Sequence, residues 1–183
     1  FRVSPVPPLR WIGTAWVTVF RNSPLAVMLF LFAFALPQVG VRFPTLGGNA
    51  FFWPGVTALA CYTAAFVCEA VRSGINSVPA GQAEAARAIG LTFQQTLGEV
   101  VLPQALRTVV PPLGSVIIAM IKNSAIVGAF GVTGELFSVD AANTALGYSA
   151  LSSLTGVAIA YLAITIPAGL ALGILERRIE VKR

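Results

Sequence analysis

Four long apolar segments constrain the fold of this chain more than any other feature of its sequence. They lie at about residues 24–41, 51–72, 108–128 and 148–175, and a helix of ~20 apolar residues crosses a bilayer core of ~30 Å. Only 10% of the 183 residues are charged and 56% are hydrophobic, whereas a soluble domain carries roughly 25% charged residues. We therefore expect an all-α integral membrane protein, folded as a single domain over residues 1–183.

The segment before the first apolar run has a different character. Its arginines and tryptophans, Arg10, Trp11, Trp16 and Arg21, are typical of a helix that lies at a membrane interface. We expect such a helix at about residues 5–21. The chain opens without Met and without a signal peptide, so we also expect that residues upstream of Phe1 are missing.

The basic residues predict the orientation of the chain in the membrane. Ten of the twelve lysines and arginines fall on one side when three regions share that side. The regions are Phe1 to Arg21, residues 72–107, which contain the polar interval at about 73–107, and the tail. These ten are Arg2, Arg10, Arg21, Arg72, Arg87, Arg107, Arg177, Arg178, Lys182 and Arg183. The positive-inside rule then places the polar interval and the C-terminus in the cytoplasm. The net charge of +5 reports this orientation, not a nucleic-acid partner.

The polar interval predicts two short helices joined by a tight Gly-Leu-Thr turn. Gly90 is a natural C-terminal stop for the first helix, and Thr92 to Gln95 has the spacing of a capping box for the second. The first helix is rich in alanine, which would let another surface approach its backbone closely. Two interpretations stay open on spacing alone: a docking element, or a solvated loop helix of good propensity.

A motif within this interval resembles a known family. It is Glu84-Ala85-Ala86, three residues, Gly90, nine residues, Val100, one residue and Leu102-Pro103. This spacing resembles the EAA loop in the membrane subunits of ABC importers, with Val100 in place of the usual Ile. The resemblance implies the transmembrane helix bundle of a type I ABC importer, with a cytoplasmic coupling helix.

Five further tracts narrow the resemblance to permeases for polar amino acids. They are the tracts at residues 21–25, 69–75, 78–82, 102–107 and 122–124. Ser73 departs from the more usual Gly, and Asn123-Ser124 from the commoner Asp-Thr. The resemblance runs from about Arg21 to Arg178, and it implies one further membrane helix before the present N-terminus.

The resemblance also implies partners and a location. A dimer of separate ATPase subunits would bind ATP and Mg²⁺, so this chain would need no cofactor of its own. A second permease subunit, identical or homologous, would complete the path, and an extracellular or periplasmic binding protein would deliver the amino acid. The complex would lie in the bacterial cell membrane. The residues implied in coupling to the ATPase are Gly81, Glu84, Ala85, Ala86, Gly90, Leu102 and Pro103.

The residues themselves offer little to an enzyme. The sequence holds no GxxxxGK[ST] tract and no histidine, so neither an ATPase loop nor a histidine-based nucleophile or zinc site is predicted. The glycines between Gly128 and Gly134 are interpreted as loop punctuation, followed by a short helix at 133–137. Cys61 and Cys68 lie seven residues apart on one predicted helix, ~10 Å, which is too far for a disulfide.

Polar residues within the spans are candidates for the substrate path. A lysine deep in lipid costs about 2.5–3.5 kcal/mol, so Lys122, with Asn123 and Ser124 beside it, is expected to face a protein interior or a water-filled path. Lys122 is interpreted either as a site for the carboxylate of a passing amino acid or as a structural lysine, paired with Glu69 or a carbonyl, or snorkelling outward. Glu69 itself would pair with Arg72 or face the path.

Two rival functions remain at this level. An ion-driven secondary transporter or channel would need carboxylates in the spans, and only Glu69 qualifies. An integral-membrane enzyme would need clustered catalytic or metal-ligating groups. The identity of the amino acid stays open, because Lys122 suits any α-carboxylate.

Overall fold

A computed structural model of the protein describes residues 6–45, 47 and 49–179. The described helices are α1 (Pro7–Asn22), α2 (Leu25–Phe30), α3 (Leu36–Gln38), α4 (Phe52–Asn76), α5 (Ala80–Ala88), α6 (Phe93–Gln95), α7 (Leu102–Ala129), α8 (Ser138–Ala145) and α9 (Ala150–Ile179). Two π-helical segments, Leu31–Ala35 and Thr96–Val101, connect α2 to α3 and α6 to α7. The chain is thus a helix bundle, as the sequence predicts.

Helix α4 lies at the centre of this bundle. Its Ala58 and Ala65 are completely buried. Ala58 shares one apolar cluster with Leu29 of α2 and Val127 of α7, and Ala65 shares a second with Phe20 of α1. Alanine at these positions lets the neighbouring side chains reach the α4 backbone, so three helices pack around one.

Glycines bring α4 and α7 close together at two places. A Cβ at Gly55 would lie 2.6 Å from a methyl group of Val127, and a Cβ at Gly74 would collide with a methyl group of Val109. Both glycines are buried. The two contacts join opposite ends of an antiparallel helix pair, because Gly55 begins α4 where Val127 ends α7.

The predicted third span is only part of a longer helix, which corrects the expectation of a short second helix in the polar interval. Helix runs without interruption from Phe93 to Ala129 through the π segment. In a regular α-helix, Pro103 would clash with the carbonyl of Glu99, and it has no N–H to donate. The wide π turn includes Glu99 and ends just before Pro103. Pro111 and Pro112 lie inside α7 and do not end it.

The predicted first span is also different in the structure. Helix continues from Leu25 only to Gln38, ~21 Å at 1.5 Å per residue, and it is bent by 111° from α1. It ends before Val41 because Gly40 has a φ of +91°, and the N–H groups of Gly40 and Val41 bond back to the carbonyls of Pro37 and Leu36. The two pieces form one broken element, and Pro37 again follows a π segment.

The remaining spans are continuous helices. Phe52–Asn76, Phe93–Ala129 and Ala150–Ile179 are long and apolar enough to cross a membrane, and the broken element would make a fourth. The predicted helix at 133–137 is wrong: this segment forms turns, and helix begins only at Ser138 of α8. Glycines with positive φ at 131 and 134 account for the turns.

Candidate coupling helix and translocation path

The chain's own caps order the EAA loop. The N–H of Gly90 donates a hydrogen bond to the carbonyl of Arg87, and the N–H of Leu91 donates one to the carbonyl of Ala86. With φ +94° at Gly90, these bonds form a Schellman motif. The Thr92 hydroxyl then accepts a hydrogen bond from the N–H of Gln95, whose side chain accepts one from the N–H of Thr92. Both predicted caps are confirmed.

The EAA residues divide between two faces of α5. Glu84 and Ala85 are exposed, whereas Ala86 is only 6% exposed. Helix α5 packs against the π segment Thr96–Val101, in which Thr96 is also buried. The small side chain of Ala86 therefore lets α5 approach the π segment of this same chain, not a partner. Glu84 and Ala85 remain available to another surface.

The other motif residues shape the loop or lie on its outside. Gly81 and Gly90 have no neighbour within 4 Å of an added Cβ, so only the positive φ of Gly90 demands glycine. Leu102, which is 40% exposed, and Pro103 begin α7 after the π segment. Their place at this junction connects the loop directly to a membrane span.

The structure separates the three polar residues that the sequence groups at 122–124. On a helix with ~100° per residue they point in different directions. Lys122 is exposed, and no hydrogen bond or ion pair joins it to any residue that the structure describes. Asn123 lines a cavity between α4 and α7. Ser124 faces α9 and donates a hydrogen bond to Glu135 at 2.8 Å.

Glu135 joins three parts of the bundle, and sequence reasoning missed this role. Its carboxylate accepts hydrogen bonds from the hydroxyls of Ser124 on α7 and Tyr161 on α9, and from the N–H of Phe137 at 2.6 Å. Gly128 leaves room for it, because an added Cβ there would collide with the carboxylate. The only sequence signal was an acidic residue soon after a span.

Glu69 pairs with arginine at the opposite end of the bundle. Arg72 donates to its carboxylate at 2.6 Å, and Arg21 lies 3.7 Å away. This is the local pairing that the sequence left open, and α1 contributes a second partner. No ion pair joins Glu69 to Lys122. Arg2, Lys182 and Arg183, which entered the orientation argument, lie outside the described residues.

The cavity between α4 and α7 lies midway between the two glycine contacts. Its volume is about 250 Å³ and it is open on one side. Apolar side chains form most of its wall. Its polar groups come from Tyr62, Thr63, Ser115 and Asn123. A pocket at mid-height on a membrane helix pair is a candidate part of a translocation path.

Comparison with known proteins identifies the family. Residues 3–181 match the family described as "Binding-protein-dependent transport system inner membrane component". A probable glutamine ABC transporter permease protein of Bacillus subtilis (strain 168), GlnM, is 40% identical over 98% of this chain and 80% of its own length. The glutamate transport system permease protein GluC of Corynebacterium glutamicum is 38% identical over 100% of this chain and 82% of its own.

Solved structures give the same result. The structure titled "Crystal structure of an amino acid ABC transporter with histidines" is similar with a TM-score of 0.86 and 33% identity, covering 97% of this chain and 79% of that one. An inward-facing MetNI methionine ABC transporter has a TM-score of 0.74 and 25% identity, covering 94% and 76%. The chain therefore belongs to the family of binding-protein-dependent transport system inner membrane components, and it is a permease subunit of an ABC importer.

Proposed function

We propose that this chain carries polar amino acids across the membrane in a complex driven by a separate ATPase. The observation that carries the proposal is α5, a short helix that lies outside the spans, is fixed by its own caps and exposes Glu84 and Ala85. The relatives named above support an amino acid as the substrate. A dimer of ATPase subunits would bind ATP and Mg²⁺, and a second permease and a binding protein would complete the complex.

In this proposal α5 is the coupling helix. It would insert into a cleft of the ATPase, with Glu84 offering a charge to that surface and Ala85 allowing close contact. Gly90 holds the angle between α5 and the helix that begins at Phe93. Because that helix continues to Ala129, a movement of α5 would reach the span without crossing a flexible loop.

The orientation follows from the same helix. An ATPase is cytosolic, so α5 would lie on the cytoplasmic side, as would the end of α9. The excess of basic residues at this end agrees with the positive-inside rule. Arg21, Arg72 and Glu69 meet there in the structure. Glu135 would then lie toward the outer side.

Lys122 belongs to the proposed substrate path. An exposed lysine within a span, without a partner among the described residues, requires water, a second subunit or a ligand to solvate its charge. The carboxylate of an amino acid would supply the opposite charge. The ion-driven carrier and the membrane enzyme are not favoured, because the relatives are permease proteins of ABC transporters.

The test is coexpression with the ATPase of the same importer. We expect the Glu84→Lys variant to lose copurification of the ATPase, or to lose substrate-stimulated ATP hydrolysis, by roughly tenfold, because like or unpaired charge at a contact centre costs ~1–3 kcal/mol.

Glu99→Lys is the matched control. It makes the same charge change on an exposed residue of the same loop, outside the EAA positions. Equal behaviour of Glu84→Lys, Glu99→Lys and the unchanged protein would exclude α5 as the coupling helix. Failure of the unchanged protein to bind any ATPase would count against the proposed complex as a whole.

A further inference from the structure

The α4–α7 cavity has a chemical character that bears on substrate choice. Its volume of about 250 Å³ is slightly below the ~300–1,000 Å³ of pockets for drug-sized ligands, which suits a ligand as small as one amino acid. Among the described residues, none that lines it is charged. Its polar groups are the hydroxyls of Tyr62, Thr63 and Ser115 and the amide of Asn123.

The cavity lies between two places where glycines bring α4 and α7 close together. The contacts of Gly55 with Val127 and of Gly74 with Val109 set the separation of α4 and α7. Between them the wall is formed by larger residues, including Phe66 and Met120. A gap held open in this way does not close by simple collapse, because the glycine contacts are already at their limit.

Lys122 lies beside this cavity on α7. At ~100° per residue, Ser115, Ala119 and Lys122 fall within about 60° of one another on the helix, and Asn123 lies about 80° from Ser115. Ser115, Ala119 and Asn123 line the cavity. Lys122 therefore lies at the edge of the helical stripe that lines the cavity, and we expect its flexible side chain to extend toward the cavity mouth.

The charges nearest the other side of the cavity are already paired. Arg21 lies over the ring of Phe66, 5.7 Å from its centroid, and it also contacts Glu69, which binds Arg72. A charged substrate side chain inside the cavity would meet no opposite charge among the lining residues and would lose part of its hydration, and burial of an unpaired charge is costly.

From these contacts we infer that the cavity is a selectivity site for the uncharged side chain of an amino acid, whose carboxylate is held by Lys122. The inference rests on the proposed function and names its substrate class. Asn123 both donates and accepts hydrogen bonds, so it is the specificity-determining residue for a polar, uncharged group such as an amide.

Direct binding tests this inference without the binding protein, which has a selectivity of its own. The permease–ATPase complex in lipid nanodiscs is titrated with radiolabelled L-glutamine, and unlabelled L-glutamate and L-lysine are used as competitors. We expect saturable glutamine binding, and competition at least roughly tenfold weaker for each charged amino acid, since tenfold corresponds to ~1.4 kcal/mol.

Variants separate the two contacts. We expect Asn123→Leu to weaken glutamine binding roughly threefold to tenfold and Lys122→Met to weaken it tenfold or more, with binding retained by Lys122→Arg. Thr155→Val is the control, because it removes a hydroxyl from an exposed site on α9. If Lys122→Met does not assemble, Asn123→Leu still decides the result.

Several outcomes would overturn the inference. They are equal competition by glutamate or lysine, glutamine binding unchanged in Asn123→Leu, and no saturable glutamine binding at all. ATP-driven uptake of some amino acid, with ATPase binding through α5, would survive each of them. The proposed function fails by a different result, the absence of ATPase assembly.

Discussion

Helices α4 and α9 are both long apolar spans, yet they hold very different positions in the bundle. In the most apolar stretch of α4, 33% of the residues are buried, whereas in α9 the share is 6%. An added Cβ at Gly55 or Gly74 of α4 would overlap a side chain of α7, whereas on α9 Gly169 would be in ordinary contact with Ile118 at 3.6 Å and Gly156 and Gly173 have no neighbour within 4 Å. Apolar sequence therefore identifies a span, but close backbone contact decides which span is the core.

The two helices also hold α7 by different interactions. Helix α4 binds it through buried small residues, whereas the hydroxyl of Tyr161 on α9 donates a hydrogen bond to Glu135, which also binds Ser124 of α7. In lipid the apolar surface of α9 needs no burial within this chain. Polar groups buried between helices do need partners there, because lipid cannot satisfy them.

The largest expected effect comes from breaking the α4–α7 contact. In Gly74→Val the new side chain would meet the backbone of Val109, whose N and Cα lie only 3.1 and 3.2 Å from an added Cβ. We expect a loss of about 3 kcal/mol or more in the free energy of unfolding. Thermal denaturation of the detergent-purified chain measures it.

Gly173→Val is the matched control, because it makes the same change on α9 in open space. Similar melting temperatures for the two variants would show that the glycine contact does not hold α4 to α7.

A smaller effect is expected from loosening α9. Glu135→Gln keeps the shape but removes the charge that accepts hydrogen bonds from Ser124, Tyr161 and Phe137. We expect a loss of about 1.5–3 kcal/mol in the free energy of unfolding, the usual contribution of hydrogen bonds to charged groups. Denaturation in detergent again supplies the measurement.

Asp140→Asn provides the comparison for Glu135→Gln. It is the same chemical change in the same segment between α7 and α9, at a carboxylate with one buried oxygen that has no hydrogen-bond partner among the described residues. We expect it to be neutral or slightly stabilising. Equal destabilisation by both variants would show that the hydrogen bonds of Glu135 contribute no more to stability than the Asp140 carboxylate does.

The smallest effect is expected on the exposed face of α9. Leu162 is 54% exposed, whereas Leu29 is 1% exposed against α4. We expect Leu162→Ala to change the stability of the purified chain by less than about 0.5 kcal/mol, and Leu29→Ala to lower it by about 2–5 kcal/mol. A large effect of Leu162→Ala in the purified chain would mean that α9 is part of the core after all.

Several features of the candidate site could be predicted because their causes are local. The Schellman motif at Gly90 and the capping box at Thr92 depend on residues within one turn. The pairing of Glu69 with Arg72 depends on a three-residue spacing on one helix. The second partner, Arg21, could not be predicted, because it comes from another helix.

The errors also have a common physical reason. Helix was expected to stop between the polar interval and the third span, but the π segment before Pro103 lets it continue. The first span was expected to run to about Val41, but Gly40, with its positive φ, ends it at Gln38. In both places, backbone geometry around a proline or glycine outweighed the hydrophobic pattern.

The sequence by itself determined that this chain is a helical membrane protein with an EAA loop. Hydropathy, charge asymmetry and motif spacing depend only on the order of residues along the chain. Only the tertiary structure decided that Ala86 faces inward, that Asn123 and Ser124 point to different neighbours, and that Glu135 joins α7 to α9. These facts depend on which helices touch and at what angle, and contacts between distant segments set both.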